Sequence, residues 1–387
     1  MKLKTIYGAL VIAASFSFNA LANESLRIAT FNVSMDATNH TPKGEQIKSD
    51  ALANALKANH QQIKNIAEII QRVRPDIILL NEFDYIPKEQ GIEYFKKHYL
   101  NVSQNNQQAI DFPYSFIAPV NTGLATHFDL DNDGKSTGIM ADAQGFGFFE
   151  GHYGMAVLSK YPIDFDKVRT LQKFKYKDMP NAQMPTDPKT GENWYNKNEW
   201  QALRLSSKSF WDLPVKVNNK TVHVLASHPT PPVFDGDEDR NGKRNHDEVR
   251  LIADYVSNKA YIYDDKGQKG GLKADSRFII LGDLNASPEG DKARTNTTDQ
   301  ILKNALINAS FVPQSAGAKE QYDTNEAQNY TANWQARVDY VLPSNYGLKI
   351  KNGGVFWPTK SSNEYRLIKD RNASSDHRLV WLDLIVE

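Results

Sequence analysis

Five short stretches carry side chains suited to one kind of chemistry. They are Asn32 in ATFNV, Glu82 in LLNEFD, His228 in LASHPTPP, Asp283 with Asn285 in GDLN, and Asp376-His377 in SSDH. Carboxylate and carboxamide oxygens are the donors that a hard divalent cation such as Mg2+ prefers. Two imidazoles titrate near neutrality and suit proton transfer. No Ser or Cys stands in a nucleophile elbow or a thiolate setting, so a protein nucleophile is not indicated. This combination points to water attacking an electrophile whose developing charge a cation stabilises. Taken singly, each stretch has a plainer reading. An Asn at a strand end turns the chain, a buried imidazole can simply be hydrogen-bonded, and GDLN can be an Asp-led turn. Five coincidences beside apolar runs are harder to explain that way.

Buried strands must position these residues. LRIATFNV (26–33) alternates as a strand and ends beside Asn32, and DIILL (76–80) runs into Asn81-Glu82. TVHVLASH (221–228) ends on His228, and RFIILGD (277–283) ends on Asp283. A carboxylate delivered by an apolar strand is costly unless it is paired or holds a metal. GMAVLSKYPI (154–163), RVDYVLP (337–343) and HRLVWLDLIV (377–386) read as further strands. Ile63, Ile66, Ala67, Ile70 and Val73 recur at helical spacing until Arg74-Pro75 stops them. Val249, Ile252, Ala253 and Val256 signal a second helix over 246–256. Strands interleaved with helices predict an α/β class with layered sheets. No repeat or linker divides residues 23–387, so 98–150, 171–205 and 285–335 read as long loop insertions on a single domain.

Lys2 and Lys4 precede an apolar run too short to span a membrane, and Ala20–Ala22 supplies the small residues of a cleavage site. Residues 1–22 are therefore expected to be a removed signal peptide, giving a periplasmic or secreted protein with no stable membrane anchor. Of the 46 basic residues, loss of Lys2 and Lys4 leaves 44 against 46 acidic, a net charge of −2. That argues against a protein built to coat nucleic acid. With no cysteine, stability must come from the core and from bound ions rather than disulfides.

The ordered series FN, LLNEFD, GMAVLSKYPI, ASHPTPP, GDLNASP, RVDYVLP and SSDH resembles the endonuclease/exonuclease/phosphatase superfamily, the deoxyribonuclease I-like proteins, over residues 26–387. The resemblance implies a four-layer α-β-β-α sandwich of two mostly antiparallel sheets, with a metal-dependent phosphoesterase site where loops converge at one end. It makes Glu82 the main metal-ligating carboxylate with Asn32 beside it, and Asp376 a second ligand or the partner of one. Asp283 would orient or deprotonate the attacking water, Asn285 would bind a phosphate oxygen, and His228 would assist the leaving group. Asp339 and His377 would form an Asp–His pair whose imidazole contacts the phosphate. Where some DNA-repair members carry an acid two residues after the first Asn, this chain has Ser34, with Asp36 further on. Where they carry a phosphate-contacting Tyr, it has His152 followed by Tyr153, both expected to face substrate.

Two loops add expectations of their own. DLDNDGKSTG opens as a calcium loop, with Asp129, Asp131 and Asp133 as ligands and the Lys135 carbonyl following. Met140 stands where the loop's closing Glu belongs, and Asp142 could substitute. After His228, the loop bearing Arg244 and Asn245 could cap the scissile phosphate and favour a compact substrate. The expected protein is a monomeric, exported phosphoesterase using Mg2+ (or Mn2+), with a structural Ca2+. A secreted deoxyribonuclease or ribonuclease of the same fold, and a non-catalytic calcium-stabilised binding protein, are the alternatives. A lipid phosphodiesterase would need an exposed apolar hairpin; GFGFF (145–149) and GGVFWP (353–358) are the segments to examine.

Overall fold

A computed structural model describes residues 25–288 and 296–387; the expected signal peptide lies outside them. In chain order the strands are β1 (Leu26–Met35), β2 (Ile77–Phe83), β3 (Tyr114–Phe116), β4 (Met155–Ser159), β5 (Arg169–Thr170) and β6 (Phe210–Val217). They continue as β7 (Lys220–Ser227), β8 (Arg277–Asp283), β9 (Asp339–Pro343), β10 (Leu348–Val355) and β11 (Val380–Val386). One sheet has the order β10-β11-β1-β2-β4-β3, the other β5-β6-β7-β8-β9. Only β1–β2 and β7–β8 are parallel among the strand pairs described.

The sheets stack face to face, and period-two alternation shows how. Trp211, Leu213 and Val215 of β6 share one core with Ile28, Leu80 and Leu382 of the first sheet. The intervening Phe210 turns outward into a second core with Val249 and Ile252 of helix Arg240–Val256. Helix Gln61–Val73 covers the other outer face, burying Ile63, Ile66, Ile69 and Ile70. Those four side chains contribute about 6–12 kcal/mol of transfer free energy before entropy. Helix, sheet, sheet and helix make the four layers. Because both faces of β1 and β2 are covered, these strands read as apolar runs.

Three local expectations change. The second helix begins at Arg240, not near residue 246; its first two turns are polar, with Asn245 buried to bond loop carbonyls, which hid the helical pattern. GMAVLSKYPI shortens to β4, and Ile163 makes only an isolated bridge to Val215. Strand β6 was not anticipated, since Asp212 and Pro214 interrupt FWDLPVKV. Pro214 is tolerated because β5 pairs only with Trp211 and Asp212.

Candidate active site

Strand polarity brings the polar residues to one rim. The parallel pairs deliver their carboxyl ends together, with Asn32, Glu82, His228 and Asp283. β4, β9 and β11 run antiparallel to their neighbours. Their amino ends therefore arrive at the same rim, led by His152-Tyr153, Asp339 and Asp376-His377. The backbone there is bent. Ser34, Glu82, Tyr153 and Asn285 have φ of 45°, 55°, 53° and 50°, uncommon for residues with side chains. The β1–β2 register slips between Asn32 and Met35, a bulge that breaks alternation and re-aims side chains. Gly282 of GDLN has φ 156°, and a Cβ there would lie 2.1 Å from the Ser227 carbonyl oxygen.

Buried amides stitch the sheets beneath the rim. Asn32 Nδ2 donates to Asp283 Oδ2 at 3.0 Å, and its side chain also bonds Glu82. Asn81 Oδ1 accepts from the Asp283 amide at 3.1 Å, while its Nδ2 donates to the Ser227 carbonyl at 3.3 Å. Sequence reasoning passed over Asn81; an amide inside the apolar run DIILLN was the available signal.

Asp283 is the centre of the cluster. Its Oδ2 lies 3.4 Å from His228 Nε2 and 3.5 Å from His377 Nε2, and its Oδ1 accepts from the Asn285 amide at 2.9 Å. Burial pushes this carboxyl up, but the charge of His377 and the bond to His228 outweigh it, leaving it far below the usual range. The two imidazoles are driven apart. Burial and the neighbouring Lys208 push His228 down to about 4, so it is neutral at pH 7. Its Nδ1 is buried without a hydrogen-bond partner, which puts the proton on Nε2. His377 goes the other way. Burial opposes its charge, yet Asp339 and Asp283 hold it well above the usual imidazole range. His377 Nδ1 donates to Asp339 Oδ2 at 3.0 Å, leaving Nε2 for Asp283. Asn285 Nδ2 is tied to the Pro229 carbonyl at 3.1 Å.

Beside them lies an acidic group. Burial, then the charges of Asp36 and Asp376, raise Glu82 to about 7. Asp84, raised in the same way, accepts from the Tyr153 and Ala37 amides at 2.8 Å each. Asp36 is fully buried, and its Oδ2 has no hydrogen-bond partner. Crowded, orphaned carboxylate oxygens fit a hard divalent cation. Asp283, Asp339 and His377 also present ligand atoms within 4.8 Å of one another. A protonated imidazole repels a cation, however, so the acids around Glu82 are the better seat. Asp376 lies at its edge, with Oδ2 accepting from Arg371 at 3.2 Å and Oδ1 from Ser34 Oγ at 3.4 Å.

Other expected residues sit less simply. His152 is fully buried, its Nε2 3.5 Å from Asp36 and its ring stacked on Tyr153 at 3.6 Å. It braces the acidic group instead of facing outward. Arg244 turns away: Nε and Nη2 donate to the carbonyls of Leu205, Gln144 and Arg204 at 2.8, 2.5 and 3.0 Å. It fastens two loops rather than capping the cluster. Asn245 is likewise spent on the Thr230 and Leu284 carbonyls. Away from the rim, Asp129, Asp131 and Asp142 bring oxygens within 4.8 Å of one another. Asp133 stands outside that group and accepts from the Lys135 amide at 2.8 Å. In GGVFWP, Trp357 is core; in GFGFF, Phe146 is half exposed.

The family model described as "Endonuclease/Exonuclease/phosphatase family" matches residues 29–377. No curated protein sequence matches closely enough to count as a relative. Among solved structures, the chain is similar to an endonuclease/exonuclease/phosphatase from Beutenbergia cavernae, with 15% identity, TM-score 0.50 and coverage of 94% of this chain and 72% of that one. It is also similar to Staphylococcus aureus beta toxin with bound magnesium ions (16%, TM-score 0.45, 93% and 99%). A third is sphingomyelinase C from Streptomyces griseocarneus (14%, TM-score 0.44, 93% and 99%). At such identities the likeness speaks to fold alone. The family match, by contrast, takes in each rim residue from Asn32 to His377, so the chain belongs to the Endonuclease/Exonuclease/phosphatase family, the metal-dependent hydrolases of phosphate ester bonds.

Proposed function

We propose that the protein is an exported, Mg2+-dependent phosphoesterase that hydrolyses its substrate by in-line attack of water. The observation carrying this reading is the Asp283 carboxylate, whose Oδ2 lies 3.4 Å from His228 Nε2 and 3.5 Å from His377 Nε2, with Asp339 Oδ2 3.0 Å behind His377 Nδ1. Export rests on the lysine-led apolar leader of residues 1–22. Held by Glu82 and Asn32, with Asp36 and Asp376 alongside, Mg2+ would neutralise charge building on the phosphoryl oxygens. Asp283 orients the water and takes its proton as the new oxygen–phosphorus bond forms. His377 donates from Nε2 to a phosphoryl oxygen, while Asp339 fixes its ring and balances its charge. His228, neutral with its proton on Nε2, donates a hydrogen bond to the leaving oxygen as the old ester bond breaks, and that oxygen then takes its proton from solvent. Asn285, with one Nδ2 hydrogen held by the Pro229 carbonyl, offers the other to the phosphate from the same strand end as Asp283.

A calcium ion on Asp129, Asp131 and Asp142 would brace the insertion that leads into His152. With Arg244 turned away, nothing at the rim among the described residues favours a compact over an extended substrate. Among the described residues no helix is long and apolar enough to cross a membrane.

Metal-stripped protein tested on bis-p-nitrophenyl phosphate, p-nitrophenyl phosphate and DNA, with and without Mg2+, checks the reading. Hydrolysis of at least one should depend on Mg2+, and Asp283→Ala should lose about 10³-fold or more while staying folded. Hydrolysis of none, or full activity in Asp283→Ala, would overturn it.

A further inference from the structure

We propose that Lys208 is a further catalytic residue of this site, its ammonium group held in place to receive a phosphoryl oxygen of the substrate. The inference rests on the phosphoesterase reading above and adds a residue that its mechanism does not use. Lys208 stands two residues before β6, in the stretch LSSKSF that no motif marks.

Its backbone is pinned from three directions. The Lys208 carbonyl accepts from the Asn121 amide at 2.8 Å. The preceding Ser207 donates from N and Oγ to Glu248 Oε1 at 2.6 and 3.2 Å. Gly145 packs so closely that a Cβ there would lie 2.2 Å from the Ser207 carbonyl oxygen. The side chain thus leaves a rigid point.

That side chain is 5% exposed. Among the described residues, its Nζ makes neither a hydrogen bond nor an ion pair. Lysine is almost never fully buried unless paired, because an uncompensated buried cation is costly. Glu248 carries the charge that most favours the ammonium, but its oxygens are already taken by Ser207 and by the Thr230 amide at 2.6 Å. So the ammonium has carboxylates in its surroundings but none bonded to it.

Its location follows from β6, which runs antiparallel to β7 with Phe210 opposite Ser227. Lys208, two residues before Phe210, stands past the carboxyl end of β7 beside His228, and Ser207 Oγ lies 3.5 Å from the His228 carbonyl oxygen. The Lys208 charge helps depress both His152 and His228, and Glu82 and Asp283 act back on it. These four residues lie on different strand ends, and the space they share is the rim itself. A compact ammonium with three donors suits a phosphoryl oxygen. It would serve by hydrogen bonding alone, with no proton transferred. The cost of an unpaired lysine is then met by the bound phosphate.

The test compares Lys208→Met and Lys208→Arg with the full chain. Affinity for inorganic phosphate is measured by calorimetry with Mg2+ present, alongside thermal unfolding and turnover of bis-p-nitrophenyl phosphate. Lys208→Met should weaken phosphate binding by at least about tenfold and lower kcat/KM by about 10²–10³-fold. Its unfolding temperature without phosphate should be unchanged or higher, since removing an unpaired buried charge does not weaken the fold. Lys208→Arg should keep part of the phosphate affinity. Wild-type phosphate affinity in folded Lys208→Met would overturn the inference. So would a lowered unfolding temperature with unchanged affinity per folded molecule, which would make Lys208 a structural prop. Because phosphate binding is read directly, this result stands even if the wild type hydrolyses none of the esters offered.

Discussion

Glu82 gives the sharpest quantitative prediction. Its carboxyl is raised from the usual 4.5 to about 7 by burial and by the facing charges of Asp36 and Asp376. A shift of this size corresponds to about 3 kcal/mol between the protonated and ionised forms. The sign follows from proton counting. Between pH 4.5 and about 7 the folded, ion-free chain holds a proton that the unfolded chain has already released. Glu82 therefore costs the ion-free fold increasing stability as pH rises through that window, reaching about 3 kcal/mol above it. A divalent cation reverses this, because it replaces the proton with a better-matched charge. Mg2+ affinity should thus tighten about tenfold per pH unit below about 7 and level off above it. Urea unfolding of metal-stripped protein at pH 5 and 8, with Mg2+ titration by calorimetry at each half unit, measures both slopes. Glu82→Gln isolates Glu82 from the other buried acids. It should flatten the stability slope, make the ion-free chain more stable at pH 8 and weaken Mg2+ binding at every pH. If Glu82→Gln keeps the wild-type pH slope, or if wild-type Mg2+ affinity is flat from pH 5.5 to 7, the cation does not sit on Glu82.

Three further outcomes follow. Asp339→Asn removes the anion that raises His377, so the imidazolium should deprotonate at lower pH; the alkaline limb of the kcat/KM profile should move down and the plateau fall by about 10²–10⁴-fold. A profile unmoved on its alkaline side would sever His377 from the chemistry. Gly282→Ala should destabilise the fold by more than about 2 kcal/mol, since its Cβ would meet the Ser227 carbonyl at 2.1 Å; a denaturation midpoint equal to wild type would refute that. Saturating Ca2+ at about 100 times its dissociation constant should stabilise wild type by about 2.7 kcal/mol but not Asp131→Asn, whose Oδ1 is buried without a partner. An equal calcium response in both would remove the ion from this loop.

Much of the plan was legible in the chain. RFIILGD and TVHVLASH are apolar runs that end on a titratable side chain, and a strand that buries both faces must announce itself in this way. The helix 61–73 was readable because its isoleucines repeat at the helical period. β6 and the first two turns of helix Arg240–Val256 were not readable. Their polar residues are justified only by distant partners: Asp212 by Tyr255 and His223 at 2.7 Å each, Asn245 by the Thr230 and Leu284 carbonyls.

The residue types that can bind a cation and move a proton, and their order along the chain, were set by the sequence alone. Which histidine is charged was not, since His228 and His377 are the same side chain. Folding decides it: Asp339 is placed against one ring, and Lys208 and burial act on the other. The same holds for Arg244 and Lys208. Sequence offered the arginine to the substrate and passed over the lysine, and tertiary structure turned the first toward loop carbonyls and left the second unpaired at the rim. Local patterns record what each segment needs from water and from its own backbone. Electrostatic roles depend on neighbours scores of residues away, and those exist only once the sheets have met.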